Sequence, residues 1–471
     1  MRVSENADVA RVVLDISGEV NYSWDRDGDR ISLYIKDAAF DPGMKLPDVS
    51  SSSVINDMSL ETRSGEVIAT VNLKFPSYCI VFPLFYPNRL VVDLRKGLKE
   101  FQREKVLPGL EWVRVATKTD AGPVVGTILR VNPVYFDIFP SLGSGKPHEK
   151  SFFESFALFF KPILPWVEED TTHFYKEKTS SMAKRYGAAA AVNGTYFGKA
   201  GEPLGLLMIN KELVSSPIHD RTALVIDDFG RPFIDNILVN TYFVTSDGVK
   251  VEITAFNQKR LDGDVILYTS KFGAKTSTKD CVEAIVKDNK IVDITQGNSD
   301  IPEGGFVIST PKGLGDVLER QKDSGKALNI KVELIPYGES SDGGVRHIIG
   351  GGPRLIKAGR IYVSKREEKF KSDIALSHAS RMAVGITKDK QLIFVAIDRT
   401  SRIADKSDIT PSAGMSLEEL SHFLSSLGVL DAVNLDGGGS TTMVVSNEVV
   451  NTPANGSEIA VSNAIIIKQK P

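Results

Sequence analysis

Residues 416–445 constrain the fold most strongly, because they specify a helix, a buried strand, a glycine turn and a second strand in that order. Ser416 and Glu419 form the S-x-x-E pattern of a capping box, and apolar residues then recur at helical spacing as far as Gly428. The apolar run 429–435 predicts a buried strand, and residues 443–445 predict another. The segment between these strands reads Asp436-Gly437-Gly438-Gly439-Ser440-Thr441-Thr442.

The triple-glycine turn has two interpretations. Without side chains, its N–H groups can approach an anionic ligand beside the Asp436 carboxylate, which would suit hydrolysis of a phosphorylated or glycosidic bond. Alternatively, it is a tight turn in which Asp436 accepts hydrogen bonds from its own backbone. A nucleotide-binding P-loop is excluded because the turn has no lysine and leads into a strand instead of a helix.

Composition excludes several classes of partner and site. The net charge of −3 gives no long-range attraction to nucleic acid or to an anionic membrane. The two cysteines, Cys79 and Cys281, are too far apart in sequence to indicate a disulfide framework or a zinc site. The six histidines show no metal-binding spacing, and no apolar run approaches the roughly 18 residues of a membrane span.

The pattern of strands and turns predicts two domains. Residues 1–96 carry short alternating strands typical of an all-β sandwich, and the charged segment 97–107 reads as a linker. Residues 108–471 mix helices and strands, which predicts an α/β domain with a mixed sheet. Within it, residues from about 237 to 340 read as a β-rich insert.

Three further segments predict helices in the larger domain. Phenylalanines at helical spacing place one helix at residues 151–160, with its aromatic face in the core. Residues 178–186 and 314–324 predict the other two helices.

Polar residues follow several of the predicted buried strands. Asn193 follows strand 188–192, Asp398 follows strand 392–397, and Asp436 ends the strand before the glycine turn. Since ligands in α/β and mixed sheets tend to bind where strands end, we expect these side chains to converge on one pocket. The segments Gly350-Gly351-Gly352-Pro353-Arg354 and His378-Ala379-Ser380-Arg381 likewise place glycines or polar residues beside a predicted strand.

Together these motifs resemble the phosphodiester glycosidase family over roughly residues 108–469. The resemblance is carried by the segments "AAVNGTYF", "GGGPRLIKAGRIYV", "SRMAVGIT", "GMSLEELSHFLSSLGVLDAVNLDGGGSTTM", "VVNTPA" and "VSNAIII". It implies a mixed α/β fold that hydrolyses the bond between a sugar's anomeric carbon and a phosphodiester. The segments "ARVVLDIS" and "NRLVVDLRKG" resemble the AMIN domain, a β-sandwich associated with binding peptidoglycan or other envelope polymers.

The resemblance and the chemistry of such a substrate assign roles to residues. Asp436 is expected to act as base or nucleophile, Asp398 as the second carboxylate, and Arg381 as the ligand of the phosphate. Asn193 and His378 are expected to orient the sugar or the phosphate. The full set of expected substrate- and phosphate-binding residues is Asn193, Gly194, Gly351, Gly352, His378, Gly437, Gly438, Gly439, Ser440 and Thr441.

Three positions depart from the family pattern. The chain has Ser380-Arg381-Met382 where Pro-Arg-Thr is common, and Asp398-Arg399-Thr400 where Asp-Gly-Arg is common. Ile459 follows Glu458 where the family usually has an arginine. These departures keep open an alternative, a non-catalytic envelope-binding protein that retains the fold. A third alternative is an ordinary glycosidase or a carbohydrate esterase.

Cofactor, partner and location follow from the same resemblance. No cofactor is certain, but the oxygen ligands of Asp436, Asp398 and Asn193 suit a possible Ca²⁺ or Mg²⁺ ion. The expected partners are a carbohydrate phosphodiester substrate and, through residues 1–96, peptidoglycan or another envelope polymer. We therefore expect a location outside the cytoplasm, in the periplasm or at the cell surface. No export signal opens the chain, which fits either a cytosolic protein or, as the resemblance implies, a chain from which such a signal has been removed.

Overall fold

The computed structural model describes the chain except for residues 7–8, 28, 42, 75–76, 96–98, 120, 145–173, 339–342, 371–376 and 401–410. The helix predicted at residues 151–160 lies outside the described residues. The chain forms two compact units. The first comprises Met1–Val134, Pro353–Thr441 and Asn451–Ser457, and the second comprises Tyr135–Gly352, Thr442–Val450 and Glu458–Pro471.

The N-terminal part of the first unit is a β-sandwich. Its strands are β1 (Arg2–Glu5), β2 (Val9–Asp15), β3 (Tyr22–Asp27), β4 (Arg30–Lys36), β5 (Ile55–Arg63), β6 (Glu66–Leu73), β7 (Tyr78–Leu84) and β8 (Arg89–Arg95). They form two antiparallel sheets in the orders β1-β2-β8-β7 and β3-β4-β6-β5 around a shared apolar core. Alternation along β4 places Ile31, Leu33 and Ile35 in that core. The predicted all-β N-terminal domain is confirmed.

The rest of the chain contains many short strands and three described helices. The strands up to the insert are β9 (Lys99–Leu107), β10 (Leu110–Thr119), β11 (Gly122–Val131), β12 (Phe136–Leu142), β13 (Glu177–Lys178), β14 (Ala190–Asn193), β15 (Leu207–Ile209), β16 (Glu212–Ser215), β17 (Thr222–Asp227) and β18 (Pro232–Val244). The next are β19 (Lys250–Glu252), β20 (Ala255–Phe256), β21 (Ile266–Thr269), β22 (Val282–Lys287), β23 (Lys290–Thr295), β24 (Phe306–Thr310), β25 (Ile330–Pro336), β26 (Val345–Gly350), β27 (Arg354–Lys357) and β28 (Arg360–Ile361). The last are β29 (Arg381–Thr387), β30 (Leu392–Ile397), β31 (Val429–Asn434), β32 (Met443–Val445), β33 (Glu448–Val449), β34 (Ala460–Val461) and β35 (Asn463–Gln469). The helices are α1 (Thr179–Tyr186), α2 (Gly315–Asp323) and α3 (Leu417–Ser426), and short 3₁₀ turns cover Lys312–Leu314 and Gly438–Ser440.

An eight-stranded antiparallel sheet organises the rest of the first unit. Its strand order is β28-β27-β31-β29-β30-β11-β10-β9, so β29 lies between β31 and β30. Helix α3 packs on this sheet through Leu417, Leu420 and Phe423, all fully buried. The predicted capping box is present, because Ser416 accepts a hydrogen bond from the Glu419 N–H and the Glu419 side chain accepts one from the Ser416 N–H.

Strand β9 occupies most of the segment expected to be a linker. It pairs with β10 across the turn at Pro108-Gly109, with Leu107 opposite Leu110. Its charged residues, including Glu100 and Arg103, lie at the exposed edge of the sheet, where charge discourages further strand pairing. The many charged residues of this segment therefore belong to an edge strand. The expectation of a linker at 97–107 was wrong for residues 99–107.

The second unit contains three larger sheets. One has the order β12-β35-β14-β32-β33 and is covered by α1, and another has the order β16-β15-β26-β17-β18-β19 with β25 also paired to β18. The third, β20-β21-β24-β22-β23, holds the one parallel pair of strands in the described part of the chain. Ile237 of β18 lies opposite Pro336 of β25, so the predicted insert leaves and rejoins the sheet on neighbouring strands. The β-rich mixed α/β class is confirmed.

The capping box makes the first stability prediction. Ser416→Ala removes the oxygen that accepts the Glu419 N–H, so we expect a loss of about 1 kcal/mol in the free energy of unfolding. Ser457→Ala makes the same chemical change at an exposed site and serves as the control. Urea denaturation measures both variants. Equal stability of Ser416→Ala and wild type would contradict the assignment of Ser416 as a stabilising cap.

Candidate active site

One edge of the eight-stranded sheet brings together three residues that the sequence analysis selected. Arg381 begins β29, and both neighbouring strands run antiparallel to it, so both end at the edge where β29 begins. Asp398 follows β30 directly, and Asp436 follows β31 after one intervening residue. Because adjacent strands lie about 4.8 Å apart, the backbones of the two aspartates are separated by roughly 10 Å, with Arg381 between them.

Two backbone hydrogen bonds fix the position of Asp436. The Leu435 N–H donates to the Met382 carbonyl at 2.8 Å, and the Gly438 N–H donates to the Ser380 carbonyl at 2.8 Å. The turn is thereby held against β29 on both sides of Arg381. A Cβ atom at Gly437 would lie 2.8 Å from the Ser380 oxygen, and Gly438 has a φ of 59°. A side chain at Gly437 would therefore clash with this carbonyl, and the left-handed φ of Gly438 favours glycine.

The environment of Asp436 alters its acidity. The side chain is partly exposed, yet burial raises its pKa to about 6. Hydrogen bonds from the Ser440 hydroxyl and the Gly437 N–H favour the ionised form and partly oppose this rise. A carboxylate with this pKa is ionised at neutral pH but poorly solvated, which makes it a stronger base than an exposed aspartate.

The glycine turn uses several of its own N–H groups. Gly437 donates to the Asp436 carboxylate and Gly438 to the Ser380 carbonyl, as described above. The Ser440 and Thr441 N–H groups donate within the 3₁₀ turn, to the carbonyls of Gly437 and Gly438. This geometry matches the interpretation of a turn in which Asp436 accepts bonds from its own backbone. The turn thus presents the Asp436 carboxylate. Because four of its N–H groups already donate within the protein, few are left to bind an anion as the first interpretation expects.

Asp398 is held by several donors inside the protein. Its side chain is 1% exposed and forms an ion pair in which Arg114 Nη2 lies 2.9 Å from Oδ2. The Thr452 N–H donates to Oδ1 at 3.0 Å, and Asn451 Nδ2 approaches the same oxygen at 3.4 Å. Burial raises the pKa of Asp398 to about 6, although Arg114 and the Thr452 N–H favour the charged form.

Arg114 is a residue of this edge that was not predicted from the sequence. It lies on β10, and its ion pair with Asp398 crosses the intervening strand β11. The edge of the sheet therefore carries alternating charges, in the order Asp436, Arg381, Asp398 and Arg114. A single arginine in the strand sequence "EWVRVATKT" gives no signal of this role, because surface arginines are common in exposed strands.

Arg381 and His378 both have partners within the protein. Arg381 is 4% exposed, and its guanidinium donates from Nε to the Met415 carbonyl at 3.0 Å and from Nη2 to the Ser377 carbonyl. His378 Nε2 lies 2.9 Å from Oε2 of Glu419, the residue that closes the capping box of α3. These contacts give both residues a role in holding the segments beside the site.

Two buried hydroxyls of the first unit have no hydrogen-bond partner among the described residues. These are the side chains of Ser380 and Thr441, at 2% and 0% exposure. Ser380 precedes Arg381 and Thr441 ends the glycine turn, so both belong to the edge that carries the aspartates. Buried hydroxyls normally find partners, which makes these two atoms candidates for contact with a ligand.

The other expected site residues lie in the second unit. The Asn193 side chain accepts the Thr442 N–H at 3.0 Å, and the Gly194 N–H donates to the Asn463 carbonyl at 3.0 Å. A Cβ atom at Gly194 would lie 2.1 Å from Oδ1 of Asn463, which also accepts the Thr195 N–H. Asn463 lies in the segment "VSNAIII" but was not predicted to be a site residue, and its buried Nδ2 has no partner among the described residues.

Gly351 and Gly352 are also part of the backbone framework of the second unit. The Gly351 N–H donates to the Thr222 carbonyl at 2.9 Å, and the Gly352 carbonyl accepts the Tyr196 hydroxyl at 2.8 Å. Gly352 has a φ of 114°, which favours glycine.

Glu458 has a structural partner that explains its presence. Its carboxylate accepts the Ser180 N–H at 3.1 Å and also the Ser180 hydroxyl, in the first turn of α1. A negative charge at a helix N-terminus is stabilising, so Glu458 acts as a cap. The adjacent Ile459 packs against the apolar cluster under α1.

The described residues contain neither a cluster of metal-binding side chains nor a helix suited to cross a membrane. In the described ranges, no three His, Cys, Asp or Glu side chains gather in a way that could hold a metal ion. The possible Ca²⁺ or Mg²⁺ ion of the sequence analysis thus gains no support from these side chains. The described helices include none with the length and apolar character needed to cross a membrane.

Comparison with known proteins supports one family. Residues 280–468, less than half of the chain, match the sequence model of the phosphodiester glycosidase family. The match is narrower than the resemblance expected over residues 108–469. The N-acetylglucosamine-1-phosphodiester alpha-N-acetylglucosaminidase of Mus musculus is 25% identical over 194 residues, 38% of this chain and 32% of that protein. The Bos taurus enzyme of the same name is 27% identical over 117 residues, 23% of this chain and 20% of that protein. The chain thus spans at most about a third of these relatives.

Solved structures share the fold over almost the whole chain. A hypothetical protein from Synechocystis has a TM-score of 0.62 and 20% identity, covering 100% of this chain and 79% of its own. A candidate exported protein from Burkholderia pseudomallei has a TM-score of 0.55 and 16% identity, covering 98% of this chain and 97% of its own. At such low identity these similarities concern the fold alone.

The raised pKa of Asp436 predicts that ionisation of its carboxyl group lowers the free energy of unfolding of the protein. Because the pKa is higher in the folded state, the folded protein binds more protons between about pH 4 and 6, and stability falls as pH rises through this window. We therefore expect Asp436→Asn to stabilise the protein by roughly 1 to 3 kcal/mol at about pH 8, and to lose this advantage below about pH 4.

Chemical denaturation at both pH values measures this difference. Asp262→Asn, which makes the same change at an exposed turn, is the control and should leave stability unchanged. A destabilised Asp436→Asn variant at high pH would show that the carboxylate is a structural anchor and not a strained functional group.

Proposed function

We propose that this chain hydrolyses a sugar-1-phosphodiester, breaking the bond between the anomeric carbon and the phosphate oxygen. The proposal is carried by one observation: two aspartates with pKa values near 6 end strands on either side of the strand that begins with Arg381. The match of residues 280–468 to phosphodiester glycosidases supports the reaction class.

The chemistry of this substrate suits the residues at the sheet edge. A phosphate monoester is a good leaving group, so strong proton donation to it is less necessary than in ordinary glycosidases. The remaining requirements are a carboxylate near the anomeric carbon and positive charge near the phosphate. We assign the first role to Asp436, which is partly exposed, and a supporting role to Asp398, whose oxygens are bound by Arg114 and the Thr452 N–H.

Two arginines are candidates for stabilising the phosphate. Arg381 stands between the aspartates, but two of its nitrogens donate to the carbonyls of Met415 and Ser377. Arg114 is more exposed, at 18% of its side chain, and is positioned by Asp398. We propose that Arg381 supplies charge and holds the neighbouring segments, and that Arg114 contacts the phosphate. The hydroxyls of Ser380, Ser440 and Thr441 would add polar contacts, with Gly437, Gly438 and Gly439 shaping the turn.

The sugar- or phosphate-binding roles expected for residues of the second unit stay predictions. Asn193 and Gly194 lie beside Asn463, whose buried Nδ2 has no partner among the described residues. Gly351 and Gly352 would contribute backbone groups, and His378 of the first unit would position the segment before Arg381.

The biological substrate is proposed to be a phosphodiester-linked polymer of the cell envelope or an exopolysaccharide. This part rests on the AMIN-like pattern of residues 1–96, whose sandwich would bind peptidoglycan or another envelope polymer. It also implies a periplasmic or surface location. The rival function is that of a binding protein without activity. It is favoured because Arg381 and Asn193 already form hydrogen bonds within this chain.

Turnover of a nitrophenyl-phosphate conjugate of a hexose or N-acetylhexosamine tests the proposed reaction. We expect wild type to release free sugar and Asp436→Asn to lose activity by about 10³-fold or more while still binding the substrate, as befits loss of a nucleophile or base. Asp262→Asn, which makes the same change at an exposed turn, is the control. Binding to isolated cell wall without turnover of any conjugate, with or without Ca²⁺, would favour the rival.

The two arginines can be separated by chemical rescue. Arg114→Ala should lower kcat/KM by about 10- to 150-fold, the value of a charged hydrogen bond, and added guanidinium should restore part of the loss. Arg381→Ala should also lower stability, because two carbonyls lose a buried donor. If guanidinium rescues Arg381→Ala and leaves Arg114→Ala unchanged, the assignment of the phosphate ligand must be reversed.

A further inference from the structure

A polar groove lies at the opposite end of the eight-stranded sheet from the aspartates. One wall comes from β3 and β4 of the sandwich, and the other comes from the β29–β30 turn, the start of β31 and β11. The cavity has a volume of about 790 Å³, within the usual range for small-molecule sites. Because β29 has seven residues, the groove is roughly 20 Å from the candidate active site.

The sandwich wall is built by the outward face of β4. Alternation turns Ile31, Leu33 and Ile35 into the core, so Arg30, Ser32 and Tyr34 face the other way and line the groove. Trp24 of the neighbouring strand lines it as well. This wall thus combines a cation, two hydroxyls and aromatic surface.

Positive charge dominates the lining. Arg26, Arg30, Arg130 and Lys388 line the groove, against two carboxylates. The Asp25 carboxylate accepts the Tyr34 hydroxyl at 3.0 Å and lies 3.9 Å from Lys388 Nζ, and Asp389 accepts Gln391 Nε2 at 2.6 Å. Both acids therefore already have partners within the protein. The groove is positively charged although the whole chain carries a net charge of −3.

Burial is the main constraint on the charge of Arg130. It lowers the pKa of the Arg130 guanidinium, and Glu111, whose carboxylate lies 3.5 Å from Arg130 Nε, opposes this effect. A bound anion would give this partly desolvated cation a further partner.

We propose that this groove is a second binding site, for a phosphorylated saccharide. Arginine recognises phosphate through paired N–H groups, and the hydroxyl oxygens of Ser32 and Tyr34 can accept hydrogen bonds from a sugar. The aromatic rings offer apolar surface to the sugar ring. The choice of a phosphorylated saccharide over another small anion rests on the proposed function. A polymer held here could present a distant linkage to the active site.

Isothermal titration of the full chain with glucose 6-phosphate tests the site. This sugar contains no phosphodiester, so its binding is independent of hydrolysis. We expect saturable binding, with glucose alone and inorganic phosphate each binding at least about ten-fold more weakly. The double variant Arg30→Glu/Lys388→Glu should weaken the binding of glucose 6-phosphate by about ten-fold or more. Both positions are exposed, and a milder Arg30→Gln/Lys388→Gln variant should act in the same direction.

The control makes the same change in charge outside the groove. Arg63→Glu/Lys390→Glu alters one exposed residue of the sandwich and one of the β29–β30 turn, and should bind like wild type within about two-fold. Absence of binding by wild type, or equal losses in both double variants, would overturn the proposal. Equal binding of inorganic phosphate and glucose 6-phosphate would overturn its saccharide part.

Hydrolysis of a small sugar-1-phosphodiester separates this proposal from the proposed function. Arg30→Glu/Lys388→Glu should leave that rate unchanged within about two-fold, because the groove is remote from the aspartates. Selective binding at the groove without hydrolysis by wild type would refute the proposed reaction alone. Hydrolysis without selective binding would refute the second site alone.

Discussion

The candidate active site depends on the antiparallel pairing of β29 with β30 on one side and β31 on the other. Since both neighbours run against β29, their ends meet at the edge where β29 begins, and residues remote in sequence are brought together. The Gly438 N–H bond to the Ser380 carbonyl extends this pairing beyond β31 and holds Asp436 next to Arg381. Only a turn without a side chain at Gly437 can approach that carbonyl so closely.

The order of charges along this edge follows from strand order and determines the electrostatics of the site. Asp436, Arg381, Asp398 and Arg114 alternate in sign, and Asp398 forms an ion pair with Arg114, but burial still raises both aspartate pKa values. A raised carboxylate pKa of this kind costs stability at neutral pH. The ion pair of Arg114 with Asp398 crosses β11, and in the proposed function the second carboxylate would act through this arginine.

Local sequence signals predicted the elements of this edge well. The run 392–397 matched β30 residue for residue, and the capping box at Ser416 placed the start of α3 correctly. These features depend on short-range periodicity and on one side chain bonding to a nearby backbone group. The strand β9 was missed because its charges, which protect a sheet edge, look like those of a linker.

Long-range pairing set the limits of prediction at the site. Arg114 could not be selected, because its role depends on a contact with Asp398 across 284 positions of sequence. The partners of Arg381, Glu458 and Asn193 were equally invisible, since each binds backbone groups brought near by the fold. The assignment of polar residues to ligand binding therefore needs the hydrogen bonds that the folded protein already makes.

Hydrolysis in water labelled with ¹⁸O tests the central claim most directly, because it identifies the bond that breaks. If Asp436 and its neighbours act at the anomeric carbon of a sugar-1-phosphodiester, ¹⁸O from the water must appear in the anomeric hydroxyl of the released sugar. Mass spectrometry of both products detects it. Label in the phosphate monoester would mean cleavage at phosphorus and would contradict the account.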